Sequence, residues 1–131
     1  MVAKRAFSLI ELLIVISIIG ILIAVATVSY STVQKRSRDS RRITDLKAVQ
    51  QGLEQYYPDH NSSYPTSPCS SVGVSYLPSG MPTDPKTGLA YSESCTVAGY
   101  CVCAGLEVTA GNSTTDCGTT SGTWYCIHNT Q

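Results

Sequence analysis

Charged side chains are scarce in this chain, and one long stretch has none at all. Only 14% of the 131 residues are charged, and nine basic side chains balance nine acidic ones. That balance excludes wholesale electrostatic binding to nucleic acid. No charge occurs in the 23 residues from Leu12 to Gln34, most of which are apolar. Because a helix crosses the hydrocarbon core with roughly 20 mainly apolar residues, this run predicts a membrane-spanning helix.

Proline is absent before Pro58, and only two of the ten glycines, Gly20 and Gly52, precede it. Since these two residue types disfavour helix most, the chain up to that point can be helical throughout. After the uncharged run, apolar side chains recur at steps of three and four, which is the spacing of one helix face. They are Ile43, Leu46, Val49, Leu53, Tyr56 and Tyr57. We therefore predict one long helix over residues 7–57, ended by Pro58.

Residues 58–131 have the composition of turns and short strands. All six prolines and eight of the ten glycines lie here. A polar loop at 109–122 is rich in Gly, Ser and Thr. Three runs predict antiparallel strands, the first two as a hairpin: Tyr91–Cys95, Gly99–Val108 and Thr123–His128. The predicted fold class is α+β, with the long helix packed on a small C-terminal head that divides into a loop region, 58–90, and a sheet region, 91–131.

Cysteine is absent from the helical part of the chain. An even number in a short region predicts disulfide bonds formed in an oxidising compartment, where they stabilise a region too short to bury a large core. The six are Cys69, Cys95, Cys101, Cys103, Cys117 and Cys126. Cys101 and Cys103 lie two apart on one strand, so a bond between them would close a strained ring. Of the 15 pairings that six cysteines allow, the 3 containing that bond are excluded and 12 stay open.

Other roles for cysteine have less support in the sequence. A zinc site with His60 or His128 would lack the paired cysteine spacing of structural zinc sites. A cysteine–histidine nucleophilic pair has no local signature. Because no acid–base or nucleophile constellation is recognisable, we predict that the chain is not an enzyme.

A short basic leader, Met1–Ala6, precedes the apolar residues that begin at Phe7, and a single acidic residue, Glu11, lies among them, just before the uncharged run. A secretory signal peptide would have a shorter apolar region followed by a cleavage site. A lone carboxylate at membrane depth costs about 2.5–3.5 kcal/mol, and the span contains no Lys or Arg to pair with it. The nearest cation would be an amino terminus made by cutting between Ala6 and Phe7. The alternative is a helix-end Glu that reaches the membrane interface.

The residues from Lys4 to Leu13 (KRAFSLIELL) resemble the class III leader and N-terminus of type IV prepilins and type II secretion pseudopilins. The resemblance implies that a prepilin peptidase cuts between Ala6 and Phe7 and methylates the Phe7 amine. It also implies that Glu11 pairs with the amino terminus of a neighbouring subunit during assembly. Ala6 departs from the family, in which glycine is usual before the cut. Weaker similarity to major pseudopilins and their pilin relatives continues to Tyr91.

This resemblance implies a structural subunit of an extracellular filament like a type IV pilus. The subunit would enter the inner (cytoplasmic) membrane with its head outside, and would then polymerise through residues 7–30. Expected partners are other copies of the chain, the peptidase, a membrane assembly platform, and the lipid bilayer before assembly. No cofactor and no direct nucleic acid binding are expected. Alternatives are a pseudopilin of a secretion or DNA-uptake system, a minor or tip subunit, and a membrane-anchored disulfide-rich binding module.

Major pseudopilins often hold calcium in the loop before the last strand. Here that loop offers only Glu107, Asn112 and Asp116, a poor oxygen set for a hard cation, so we expect no metal and a bridge from Cys117 instead. Charge also divides along the chain: residues 35–58 carry a net +3 and residues 59–131 a net −4. This division indicates either attraction between neighbouring copies or two solvated faces.

Overall fold

The computed structural model describes residues 7–118 and 120–131, with the backbone alone at Val28 and Ser29. The chain divides into two units, Met1–Gln34 and Lys35–Gln131, and the head sheet belongs to the second. The predicted leader, including Ala6 of the predicted cleavage site, lies outside the described residues.

One helix, α1, runs from Leu9 to Asp59. It begins and ends two residues later than predicted. Pro58 lies in the last turn, where its missing N–H removes only one helical bond. The helix ends instead where Asn61 adopts a positive φ of 54°, which lets the Ser62 N–H donate back to the Tyr57 carbonyl at 3.1 Å.

The head contains a four-stranded antiparallel sheet of order β1-β2-β4-β3. Its strands are β1 (Ser92–Thr96), β2 (Gly99–Gly105), β3 (Ser113–Thr115) and β4 (Ser121–His128). The predicted hairpin is present, with Val97 and Ala98 at its turn. Strand β3 was not predicted, because Ser-Thr-Thr within a polar loop carries no hydrophobic alternation. The α+β fold class is confirmed.

Strand β2 ends three residues before the predicted end, at Gly105 rather than Val108. The reason is a single carboxylate on the helix. The N–H groups of Glu107, Val108 and Thr109 all donate to Asp39, at 2.9 Å at their closest. Successive N–H groups of an extended strand point in opposite directions, so three of them can converge on one acceptor only if the strand stops.

The core lies between the second part of α1 and one face of the sheet. Leu46, Val49 and Leu53 are fully buried, which confirms the predicted helix face. They belong to the same buried cluster as Val102 of β2 and Ile127 of β4. Residues between α1 and β1 complete the cluster: Val72, at the end of a short 3-10 helix (Cys69–Val72), and Tyr64, Leu77 and Tyr91 in the loops.

Candidate functional site

The first part of α1 is apolar and exposed. Every large hydrophobic side chain from Phe7 to Val25 is exposed, and Phe7 itself is 88% exposed. This helix is long and apolar enough to cross a membrane, by length and composition. Contiguous apolar surface of this extent is rare on soluble monomers and marks a surface that contacts lipid or protein.

Glu11 accepts a hydrogen bond from the Ser8 backbone N–H to Oε2, at 2.9 Å. This contact is half of a capping box, in which a Glu three residues into the helix satisfies an N–H that the first turn leaves unpaired. Among the described residues, no cation lies within ion-pair distance of Glu11. Sequence reasoning missed the capping role, although the Ser8-x-x-Glu11 spacing is its recognised pattern.

A second charged site lies in the other unit and centres on Arg42, which is 3% exposed. Its Nε donates to Asp84 Oδ2 at 2.6 Å. Its Nη1 donates to Asp39 Oδ1 at 2.8 Å and to Glu107 Oε1 at 3.0 Å. One helix guanidinium therefore joins three carboxylates, two of which lie in separate head loops.

Glu107 gathers the remaining cations of this ion-pair cluster. Arg38 forms a bidentate pair with Glu107, in which Nε donates to Oε1 at 2.7 Å and Nη2 donates to Oε2 at 2.8 Å. Lys86 Nζ lies 3.3 Å from Oε2. Arg38, followed by Arg42 and Lys86, holds the pKa of Glu107 well below its usual range. The cluster thus contains three cations and three carboxylates, counting Asp39 and Asp84, and is formally neutral.

Asp39, which is buried, and Asp84, which is partly exposed, stay ionised because the hydrogen-bond donors outweigh the effect of burial. Burial raises the pKa of Asp39. Hydrogen bonds from the N–H groups of Val108, Glu107 and Thr109 and from the Arg42 guanidinium lower it by more, so the pKa is below its usual value. Burial likewise opposes ionisation of Asp84. Hydrogen bonds from Arg42 and from the Thr87 and Lys86 N–H groups nonetheless bring the pKa of Asp84 to about 2.

These contacts locate the predicted basic segment and the three calcium candidates. Arg38 and Arg42 of the basic segment pair within the chain, so part of the charge division is matched internally. The calcium candidates make separate contacts: Glu107 with the cations, and Asn112 with the Cys126 backbone through Oδ1 at 2.7 Å and Nδ2 at 2.8 Å. Asp116 Oδ1 accepts backbone N–H groups within its own loop.

Tyrosine hydroxyls bind the other helix carboxylates. Tyr64 and Tyr100 both donate to Glu54, at 3.1 and 2.8 Å. Tyr91 donates to Asp45 at 2.8 Å. Burial, followed by the Glu54 bond, raises the pKa of Tyr64 to about 12. The phenols therefore remain neutral donors and fix the head to the helix without a counter-cation.

The six cysteines form three bridges, Cys69–Cys95, Cys101–Cys117 and Cys103–Cys126. This pairing is one of the 12 that the sequence left open. The bridge from Cys117 ties the polar loop to β2, as expected for that loop. Of the two histidines, His60 stacks on Tyr56, and His128 is the direct β4 neighbour of Cys101.

Comparison with known proteins points to one family. Residues 1–27 match the family described as the prokaryotic N-terminal methylation motif. A type IV major pilin protein of Neisseria gonorrhoeae, PilE1, is 34% identical over 82 residues, which are 58% of this chain and 38% of the relative. A type IV major pilin protein of Myxococcus xanthus, PilA, is 43% identical over 54 residues, or 41% of this chain and 24% of the relative. No solved structure matches significantly.

The chain spans less than half the length of the curated relatives that it matches. The similarity is to pilins, which are structural proteins and not enzymes. The methylation motif, the exposed apolar helix, the small antiparallel sheet and the disulfide bonds are all present together. In these features the chain is similar to the type IV pilins.

Proposed function

We propose that this chain is the subunit of an extracellular filament like a type IV pilus. The observation that carries the proposal is the exposed apolar surface formed by Phe7 and the first part of α1, which extends to Val25 and includes one carboxylate, Glu11. In a bilayer, lipid covers that surface. Once a subunit leaves the bilayer, only the same surface of other copies offers an equivalent cover, so burial drives association.

The proposed sequence of events begins with insertion as a prepilin in the inner membrane, with the head outside. The prepilin peptidase then cuts between Ala6 and Phe7 and methylates the new amino terminus. A membrane assembly platform adds the mature subunit to the filament. Because each copy offers one surface to a different surface of the next, repetition by a screw operation gives an open filament and not a closed ring.

Glu11 sets the register in this proposal. An unpaired carboxylate among apolar side chains is unfavourable, and the Phe7 ammonium of a neighbouring copy neutralises it. The Ser8 N–H already takes one lone pair of Glu11, which leaves the other oxygen to accept from the neighbour. Arrival of that amine therefore favours one axial position over all others.

Two substitutions of Glu11 test this role against the capping role. Glu11→Gln keeps an oxygen for the Ser8 N–H but loses the charge, whereas Glu11→Ala loses both. We expect both variants to insert and be processed, and both to yield few filaments in a sheared-cell fraction examined by electron microscopy. Normal filaments from Glu11→Gln, with none from Glu11→Ala, would assign Glu11 to capping alone and overturn the pairing role.

Three alternatives remain distinguishable by simple observations. A pseudopilin of a secretion or DNA-uptake system would assemble through the same surface but would remain short or cell-bound unless overproduced. A minor or tip subunit would be scarce in sheared filaments. A membrane-anchored binding module with a disulfide-rich head would keep its leader and never enter that fraction. The carboxylate of Glu11 within the apolar surface favours the filament, since a simple membrane anchor needs no carboxylate there.

A further inference from the structure

Two of the three disulfide bonds lie next to each other on one face of the sheet. Cys101 and Cys103 are on β2, and Cys126 is the direct β4 neighbour of Cys103. Because side chains alternate along a strand, these sulfurs lie on the face opposite the core residues Val102 and Ile127. Cys117 reaches the same face from the polar loop. The third bridge, Cys69–Cys95, contains none of these four cysteines.

The sulfur atoms of the two bridges are in contact. Cys117 Sγ lies 3.4 Å from Cys103 Sγ, although Cys117 is bonded to Cys101. Cys101 Sγ lies 3.6 Å from Cys103 Sγ. Since every cysteine here is oxidised, these are contacts between disulfides and not hydrogen bonds. A thiolate released at Cys117 would thus already touch the sulfur of the neighbouring bridge.

The two bridges differ in access. Cys103 is fully buried and Cys126 is 4% exposed, so their bond is shielded from reagents in solution. Cys101 and Cys117 are both partly exposed. A thiol from outside therefore reaches the Cys101–Cys117 bridge first, because exchange requires direct approach of a thiolate to a disulfide sulfur.

We propose that these four cysteines form a thiol–disulfide exchange site that takes a dithiol as its reductant. A thiolate of the dithiol attacks Cys101 Sγ, and the Cys117 thiolate leaves. Cys117 then attacks Cys103 Sγ, forming Cys103–Cys117 and releasing the Cys126 thiolate. The second thiol of the reagent resolves the mixed disulfide, which frees Cys101 and yields the oxidised dithiol. One two-electron reduction thus breaks both original bridges and makes one new bridge.

The strand geometry decides which exchange occurs. Cys101 also touches Cys103, but a bond between two residues separated by one on a strand would close a strained ring, so Cys117 is the attacking group. The product keeps the polar loop tied to β2, while it releases the link between β2 and β4. Exchange therefore changes which segments are joined without freeing the loop.

Peptide mapping of the unmutated chain tests this order. Full-length protein in detergent is exposed to substoichiometric dithiothreitol, quenched with acid, alkylated at low pH and digested. We expect alkylated Cys101 and Cys126 in the same molecules, together with a Cys103–Cys117 peptide pair and intact Cys69–Cys95 as the internal control. Alkylation of Cys101 and Cys117, with Cys103–Cys126 intact, would overturn the proposal.

A double substitution gives a kinetic test. Cys101→Ser with Cys117→Ser removes the outer bridge and leaves no free thiol. At about 0.1 mM dithiol we expect the Cys103–Cys126 bond to open about tenfold more slowly than in the parent, because the dithiol must then attack a buried bond directly, without the partly exposed outer bridge as the point of entry. The matched control, Cys69→Ser with Cys95→Ser, should leave that rate unchanged. Equal opening rates in the parent and the outer-bridge variant would refute the relay, and the mapping of the parent stands if either variant fails to fold.

Discussion

At the scale of single residues, the second part of α1 depends on polar groups in its buried face as much as on apolar ones. Asp39 and Arg42 continue the spacing of Leu46, Val49 and Leu53, and Asp39 is fully buried. The spacing was visible in the sequence. The partners were not, because Asp84 and Glu107 are 42 and 65 residues from Arg42 and nothing local points to them.

Asp39→Ala should be among the most destabilising single changes in this unit. It leaves Arg42 without one of its three carboxylates and removes the acceptor of three backbone N–H groups. Removing one partner of a buried ion pair costs about 3–5 kcal/mol. Urea unfolding of the full chain in detergent measures the loss, with Arg41→Ala as an exposed control expected to change stability by less than about 0.5 kcal/mol. Equal stability of the two variants would contradict the anchoring role of Asp39.

Gly52→Ala should also destabilise the head, although alanine is the better helix former. A Cβ at Gly52 would lie 2.9 Å from both Leu77 Cγ and the Tyr76 carbonyl oxygen. The gain in helix propensity is about 1 kcal/mol, whereas overpacking costs about 1–3 kcal/mol, and a backbone carbonyl cannot move aside cheaply. The melting temperature measured by thermal unfolding tests this, with Gln51→Ala at the preceding, exposed position as the control. A higher melting temperature for Gly52→Ala would contradict this prediction and show that Tyr76 and Leu77 move to make room for the methyl group.

Acid should weaken the head in a defined pH window. The folded-state pKa of Asp84 is about 2, below its ordinary 3.8. A lowered pKa means that the ionised group stabilises the fold above about pH 4, and that this stability is lost as the pH falls towards 2. Asp84→Asn should therefore flatten the pH dependence of urea unfolding across that window. Glu93→Gln, at a carboxylate with no hydrogen bond or ion pair among the described residues, should leave it unchanged, and identical slopes for both variants would contradict the assignment.

At the scale of elements, periodicity located α1 and its buried face, and the cysteine count together with strand composition located the head sheet. The errors have identifiable causes. Strand β3 carries no apolar alternation, and β2 stops because a carboxylate on another element captures its next amides. Neither cause is visible within the segment concerned. The bridge pairing likewise depends on strand register, which spacing alone does not determine.

The amides after β2 should exchange slowly with solvent although they lie outside any strand. Those of Glu107, Val108 and Thr109 donate to the buried Asp39, so they open only when this contact breaks. Hydrogen exchange followed by mass spectrometry should show protection across this segment, and its loss in Asp39→Asn while the ladders of β2 and β4 stay protected. Fast exchange in the parent chain would show that the segment is not held.

At the scale of the whole molecule, the sequence predicted the fold class and the long apolar helix better than it predicted the contacts within the head. The reason is physical. The apolar run and Glu11 lie close together in the sequence, and their preference for lipid or protein over water can be judged from their chemistry alone. The ion-pair cluster, in contrast, joins residues from three distant segments. The proposed function depends on these local features, and above all on processing between Ala6 and Phe7.

Intact mass spectrometry of protein sheared from producing cells tests that processing. We expect a mass equal to that of Phe7–Gln131 plus one methyl group. Reduction should add six hydrogens, two for each of the three bridges. A mass that retains Met1–Ala6, found only in membranes and never in the sheared fraction, would contradict the filament and leave an anchored protein.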